Sequence, residues 1–121
     1  METNSKAAIL RIFVSSTDLY KHESLYEYLV LQAKKEGVAG ATVLRGVLGY
    51  GASSVIHSNR FWEISDKVPT VVEMIDEHDK LLAFYEKIRS QLETMQYGCL
   101  VTLETTSVLL YKPGQKKLAE K

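Results

Sequence analysis

A chain of 121 residues has the length of one domain of ordinary size rather than two. Apolar residues make up 45% of it and charged residues 25%, the usage of a folded globular chain, which excludes a disordered or fibrous one. Fifteen Lys and Arg balance fifteen Asp and Glu, which argues against a dedicated nucleic-acid binder, and no apolar run approaches the ~20 residues of a transmembrane segment.

The run Ala8-Ile9-Leu10-Arg11-Ile12-Phe13-Val14 is rich in β-formers and reads as a strand apolar on most of both faces, ended by Ser15-Ser16-Thr17-Asp18. From about His22 to Glu36, Leu25, Tyr28, Leu29 and Ala33 recur at helical spacing, and Gly37 is a C-terminal stop. Gly40 opens a second strand, Ala41 to Leu48, with Gly46 near its far end and Gly49-Tyr50-Gly51 breaking it. A long connection of about 16 residues, Gly51 to Asp66, follows, and Asn59 to Ile64 within it fits a helical turn. The third strand runs from Val68 to Ile75, with Pro69 suited to its start or to an edge.

Asp76 can cap a second helix, whose stripe is Leu81, Leu82, Tyr85, Ile88, Leu92 and Met95. Gly98 ends it. Cys99 to Leu103 begins the last strand, which resumes after Thr105-Thr106-Ser107 as Val108 to Tyr111. The order β-α-β, long loop, β-α-β predicts an α+β fold, the ferredoxin-like βαββαβ sandwich, with two helices on one face of an antiparallel sheet. Residues 1–7 are an N-terminal extension, 8–111 the domain with its 51–66 loop, and 112–121 a polar tail carrying Lys112, Lys116, Lys117 and Lys121. Two helices cover one sheet face only, so the apolar content of the other predicts a symmetric oligomer.

Candidate chemistry is sparse. Cys99 is the one cysteine, stands at the start of an apolar strand without a nearby cation, and reads as a core residue; with no signal-like segment before Ile9, it favours a reducing, cytoplasmic setting. Ser53 and Ser54 near His57 suggest a hydroxyl and a base, but no oxyanion donors accompany them, so no enzyme is expected. His22, His57 and His78 are scattered without ligand spacing, so no metal site is expected within one chain. Glu73, Asp76, Glu77 and Asp79 bunch where a helix N-terminus accommodates acids. Arg45 and the glycines Gly46, Gly49 and Gly51 around Tyr50 suit an anion, the glycines by permitting positive φ and close backbone approach. The same glycines also suit a simple bend at a strand end. Phe61 and Trp62 either anchor the loop or form a docking surface.

The segment Gly40 to Gly51, followed by Ser53-Ser54-Val55-Ile56-His57, resembles the signature of a small PII-like bacterial and archaeal family of unassigned function. Val68 to Glu73 with Asp76, and Leu100 to Glu104, are similar to its pattern as well, so the likeness spans roughly residues 8 to 111. The resemblance implies a homotrimeric, ferredoxin-like regulatory module related to the PII nitrogen-regulatory proteins, with a small effector in inter-subunit clefts. It implies a partner protein, a membrane channel or transporter, met by the 51–66 loop, since members are often encoded beside fluoride-channel homologues. Effector candidates are Arg45, Gly46, Gly49, Tyr50, Gly51, Ser53, Ser54 and His57; docking candidates are Arg60, Phe61 and Trp62. The effector is left open between an adenine nucleotide and another small anion. Nucleotide-binding PII proteins carry a second glycine-rich loop with a lysine before the last strand, whereas Glu93 to Gly98 here has one glycine and no lysine. The alternative is a metal- or anion-binding trimer without a signalling role.

Overall fold

The computed structural model describes residues 1–4, 6–52 and 67–115. Four strands form one antiparallel sheet: β1 (Lys6–Ser15), β4 (Gly40–Arg45), β5 (Pro69–Glu77) and β6 (Leu100–Ser107), in the order β4-β5-β1-β6. The helices α1 (Leu25–Lys35) and α2 (His78–Thr94) pack on one face, and a hairpin of β2 (Leu19–Tyr20) and β3 (Glu23–Ser24) leads into α1. This is the ferredoxin-like arrangement that the element order predicts.

Period-two alternation decides which side chains meet the helices. Ala8, Leu10, Ile12 and Val14 of β1 and Val72 and Met74 of β5 are buried against Leu25, Leu29 and Ala33 of α1 and Leu81, Phe84, Ile88 and Leu92 of α2. On the opposite face the register aligns Leu44, Val71, Phe13 and Leu100 in one apolar row across all four strands. The adjacent row is Thr42, Glu73, Arg11 and Thr102. There the Arg11 Nε donates to Glu73 at 2.8 Å and its Nη1 donates to Glu104, so two carboxylates hold the guanidinium firmly protonated.

Gly37 ends α1 as expected, at φ +80°, with its N–H donating to Lys34 O and the Val38 N–H to Ala33 O. Those two bonds satisfy carbonyls that would otherwise be orphaned at the helix end. Pro69 stands at the first position of β5, where its missing N–H costs the ladder least.

Several element boundaries differ from the sequence reading. Helix α1 starts at Leu25 rather than near His22, because residues 19–24 pair with each other and the Leu25 N–H donates to Asp18 O at 2.8 Å. Strand β4 ends at Arg45, not Leu48, because the β5 ladder it follows reaches only to Pro69 and Thr70 there. Asp76 does not cap α2. It is the last inward-facing residue of β5, and its buried carboxylate accepts from the Ala39 N–H at 2.9 Å and the Glu77 N–H at 2.7 Å. The α2 stripe contains Phe84, which the spacing argument passed over, while Leu82 is 43% exposed. Strand β6 runs without a break through Thr105-Thr106-Ser107, which pair with Ala8, Ala7 and Lys6, and ends before Val108. Acids near α2 also separate: Glu73 lies on the open sheet face with Arg11, and only Asp79 stands in the first helical turn.

Candidate functional site

The sheet end at Ser15 and Pro69 carries a cavity of about 450 Å³. Because β1 and β5 run antiparallel with Ser15 opposite Pro69, residues 13–15 and 69–70 lie side by side there. Tyr50, Gly51 and Ala52 close one side of it, and Gly98, Cys99 and Leu100, leading into β6, close another. Four distant stretches of chain therefore meet at one point.

Hydrogen bonds knit the strand ends beneath it. The Ser16 N–H donates to Val68 O and the Val68 N–H to Ser16 Oγ, both at 3.0 Å, while the Thr70 hydroxyl donates to Val68 O at 3.2 Å. Asp18, only 3% exposed, accepts the Ser15 N–H at 2.9 Å. Burial, and then the Asp18 carboxylate, push the Cys99 thiol up from its ordinary range. Cys99 is held as the neutral thiol, a weak nucleophile, but it stands one position before β6, half-buried in the cavity wall, and not in the core of the last strand as the sequence reading had it.

The sequence-predicted residues divide. Tyr50 and Gly51 line the cavity, whereas Arg45, Gly46 and Gly49 do not. Arg45 turns onto α1, with its guanidinium 5.9 Å from the centre of the Tyr26 ring and its Nη2 donating to the Tyr26 hydroxyl at 3.4 Å. None of Gly46, Gly49 and Gly51 adopts a positive φ, which corrects one of the reasons given for them. What requires glycine at 46 is contact: its N–H donates to Pro69 O at 2.7 Å, and a Cβ there would lie 2.9 Å from Pro69 Cγ. Ser53, Ser54, His57, Arg60, Phe61, Trp62 and the helical turn expected at 59–64 lie outside the described residues, as do Lys116, Lys117 and Lys121. Among the described residues no group of three His, Cys, Asp or Glu side chains is placed to hold a metal ion, and no helix is long and apolar enough to cross a membrane.

Phe13, Ser15, Pro69, Thr70 and Leu100 were not singled out as site residues from the sequence. The available signal was the pairing of the Ser15-Ser16 strand end with the Pro69-Thr70 strand start, which needs the register. The hairpin at 19–24 was also missed. It carries Tyr20 onto Tyr28, with ring centres 4.0 Å apart, and the Gln91 Nε2 donates to the Tyr28 hydroxyl at 2.8 Å and the Tyr20 hydroxyl at 3.3 Å. Burial raises the Tyr28 phenol above its ordinary range.

A family model described as "Uncharacterized ACR" (DUF190) matches residues 7–108. A UPF0166 protein of Aquifex aeolicus is 36% identical over 104 residues, which is 86% of this chain and 94% of that one. A second UPF0166 protein of the same organism is 32% identical over 103 residues, 85% and 97% of the two chains. Among solved structures, CPII from Thiomonas intermedia, a nitrogen regulatory PII-like protein bound to ADP, AMP and bicarbonate, superposes with a TM-score of 0.64. The overlap covers 86% of this chain and 89% of CPII at 14% identity, so the likeness is one of fold. A PII-like structure from Thermus thermophilus gives 0.60 at 16% identity over 86% and 90% of the two chains. With its sheet order, its two helices on one face and a family match over residues 7–108, the chain belongs to the DUF190 family and has a PII-like fold of the α+β, ferredoxin-like class.

Proposed function

We propose that this chain is a non-enzymatic regulatory module that works as a homotrimer in the cytoplasm. A small effector binds in clefts between copies, and the 51–66 segment engages a partner protein, a membrane channel or transporter. The domain is 8–111, with Lys6 and Ala7 of the 1–7 extension joining its first strand and the 112–121 tail following it. Effector contacts are drawn from Tyr50 and Gly51 of the cavity wall together with Ser53, Ser54 and His57, with Arg45, Gly46 and Gly49 outside the cavity, and partner contacts from Arg60, Phe61 and Trp62.

The observation that carries this reading is the cavity at the root of the 51–66 segment. Tyr50, Gly51 and Ala52 form part of its wall and lead directly into that segment, so a ligand in the cavity acts on the chain that precedes the docking residues. An effector shifts such an equilibrium by its differential affinity for two states, and a coupling of ~1–3 kcal/mol changes partner affinity roughly 5- to 150-fold. The apolar row of Leu44, Val71, Phe13 and Leu100 on the face without helices supports burial against further copies. The ligands named for CPII supply the effector classes to try first: adenine nucleotides and a small anion.

Native mass spectrometry of gently purified protein, titrated with ADP, AMP and bicarbonate, tests the reading. A trimer that takes up ligand and loses a captured partner on Phe61→Ala or Trp62→Ala substitution is the expected result. A monomer at micromolar concentration overturns it.

A further inference from the structure

We propose that the 19–24 hairpin and α1 form a second ligand site, apart from the sheet-end cavity, and that it takes a free α-amino acid in its zwitterionic form, one with an apolar or aromatic side chain. A pocket of about 460 Å³ lies between the two elements, lined by Tyr20, Lys21, His22 and Glu23 of the hairpin and by Tyr28 and Gln32 of α1. That volume is within the ~300–1,000 Å³ range of small-molecule sites.

The register brings opposite charges to this pocket. Tyr20 and Glu23 are direct partners across the hairpin and project from the same face of it. Tyr20 stacks on Tyr28 with ring centres 4.0 Å apart, so that face, and Glu23 with it, is turned toward α1. Lys21 stands in the turn between them, its Nζ 5.5 Å from the centre of the Tyr20 ring. Its φ of +56° is in the left-handed region, where glycine would sit without steric cost, so the turn carries a strained residue whose side chain lines the pocket. Strain of this kind marks a candidate functional position.

The ligand chemistry follows from those groups. The Lys21 ammonium meets a carboxylate, while the Glu23 carboxylate and the tyrosine rings meet an ammonium. A purely anionic ligand brings like charge to Glu23, and a purely cationic one brings it to Lys21. A zwitterion pairs with both. The two rings offer flat apolar surface to the side chain of the ligand, and Gln32 adds an amide. Gln91 fixes that wall, since its Nε2 donates to the Tyr28 hydroxyl at 2.8 Å and the Tyr20 hydroxyl at 3.3 Å and so holds the rings in place before a ligand arrives.

The test is an amide-resolved NMR titration of the full chain with L-phenylalanine, with phenethylamine, which lacks the carboxylate, and with 3-phenylpropionate, which lacks the ammonium. L-phenylalanine is expected to shift amides of residues 20–32, and each analogue to bind at least about tenfold more weakly, on the scale of a lost hydrogen bond to a charged group. Lys21→Gly removes the ammonium and relieves the positive φ, and Glu23→Gln removes an exposed charge, so both variants fold. Each is expected to weaken L-phenylalanine about five- to tenfold with unfolding temperature preserved. Analogues that bind as tightly as L-phenylalanine, or variants with unchanged affinity, overturn the zwitterion inference. No binding up to about 10 mM overturns the site. Shifts confined to residues 13–15, 50–52 and 98–100 overturn it as well, because they place the amino acid in the sheet-end cavity.

Discussion

The Gly46 N–H donates to the Pro69 carbonyl at 2.7 Å, and the missing Gly46 side chain leaves the room that the Pro69 ring occupies. Pro69 in turn lines the cavity, so one glycine outside the cavity positions one of its walls. Gly46→Ala is expected to cost about 1 kcal/mol, because overpacking a close contact costs ~1–3 kcal/mol and the stiffer unfolded chain returns part of it. At Gly49 the nearest atom to an added Cβ is 3.5 Å away, and at Gly51 nothing lies within 4 Å. Gly49→Ala and Gly51→Ala are therefore expected to stay within about 0.5 kcal/mol of the parent in urea unfolding. Equal losses at all three positions would show that contact with Pro69 is not the reason for glycine.

Asp76 ties the turn after α1 to the start of α2 through Ala39, Glu77 and Lys80, whose Nζ lies 3.4 Å from Oδ2 and donates to Gly37 O at 2.6 Å. Asp76→Ala leaves two backbone N–H groups unpaired beside a 2% exposed site, and a loss of roughly 2–4 kcal/mol follows. Asp76→Asn retains an acceptor oxygen and is expected to lose less. A helix-capping residue would instead show the ~1 kcal/mol typical of a lost cap, so denaturant unfolding of the alanine variant separates the two roles.

The phase of α2 is tested by a pair of charges. Ile88 is 3% exposed and Leu82 43% exposed, although both belong to the stripe read from the sequence. Ile88→Asp is expected to destabilise by several kcal/mol, the scale of an unpaired buried charge, and Leu82→Asp by about 0.5 kcal/mol or less in the single chain. Thermal unfolding with the opposite ranking would reject this orientation of the helix.

Arg11 separates Glu73 and Glu104 on the two strands that flank β1. Arg11→Ala leaves two carboxylates on one sheet face without the cation between them, and their repulsion is then uncompensated. A lower unfolding temperature is expected, with the gap to the parent narrowing as salt is added. A gap that is insensitive to salt would point to lost packing of the arginine stem instead.

Cys99 offers a pH-dependent readout. Its native pKa is raised, so as pH climbs past the ordinary thiol range of ~8.5 the unfolded chain loses the proton first, and the stability associated with the neutral thiol is lost with rising pH. Thiol-reagent labelling at pH 8 is expected to be slower in the folded protein than in urea, and the Cys99→Ser variant should show a weaker alkaline loss of stability. Equal labelling rates in both states would contradict the shift.

Much of the architecture was legible in the chain itself. The run of β-formers from Ala8 to Val14, helical spacing from Leu25 to Ala33, Gly37 as a stop and Pro69 as a strand start are local signals set by backbone geometry, and their order already implies a ferredoxin-like sandwich. The Leu19–Tyr20 and Glu23–Ser24 hairpin was not, since strands of two residues carry no period. The inward turn of Asp76, the phase that buries Phe84 and exposes Leu82, and the continuity of β6 through three hydroxyl residues depend on which strand lies alongside. The same is true of the candidate site. Tyr50 and Gly51 stood out in the sequence, but their company of Phe13, Pro69 and Leu100, and the departure of Arg45 onto Tyr26, were decided by the antiparallel register and by packing between segments tens of residues apart. Composition and periodicity report on neighbours along the chain, whereas a cavity is made by neighbours across it.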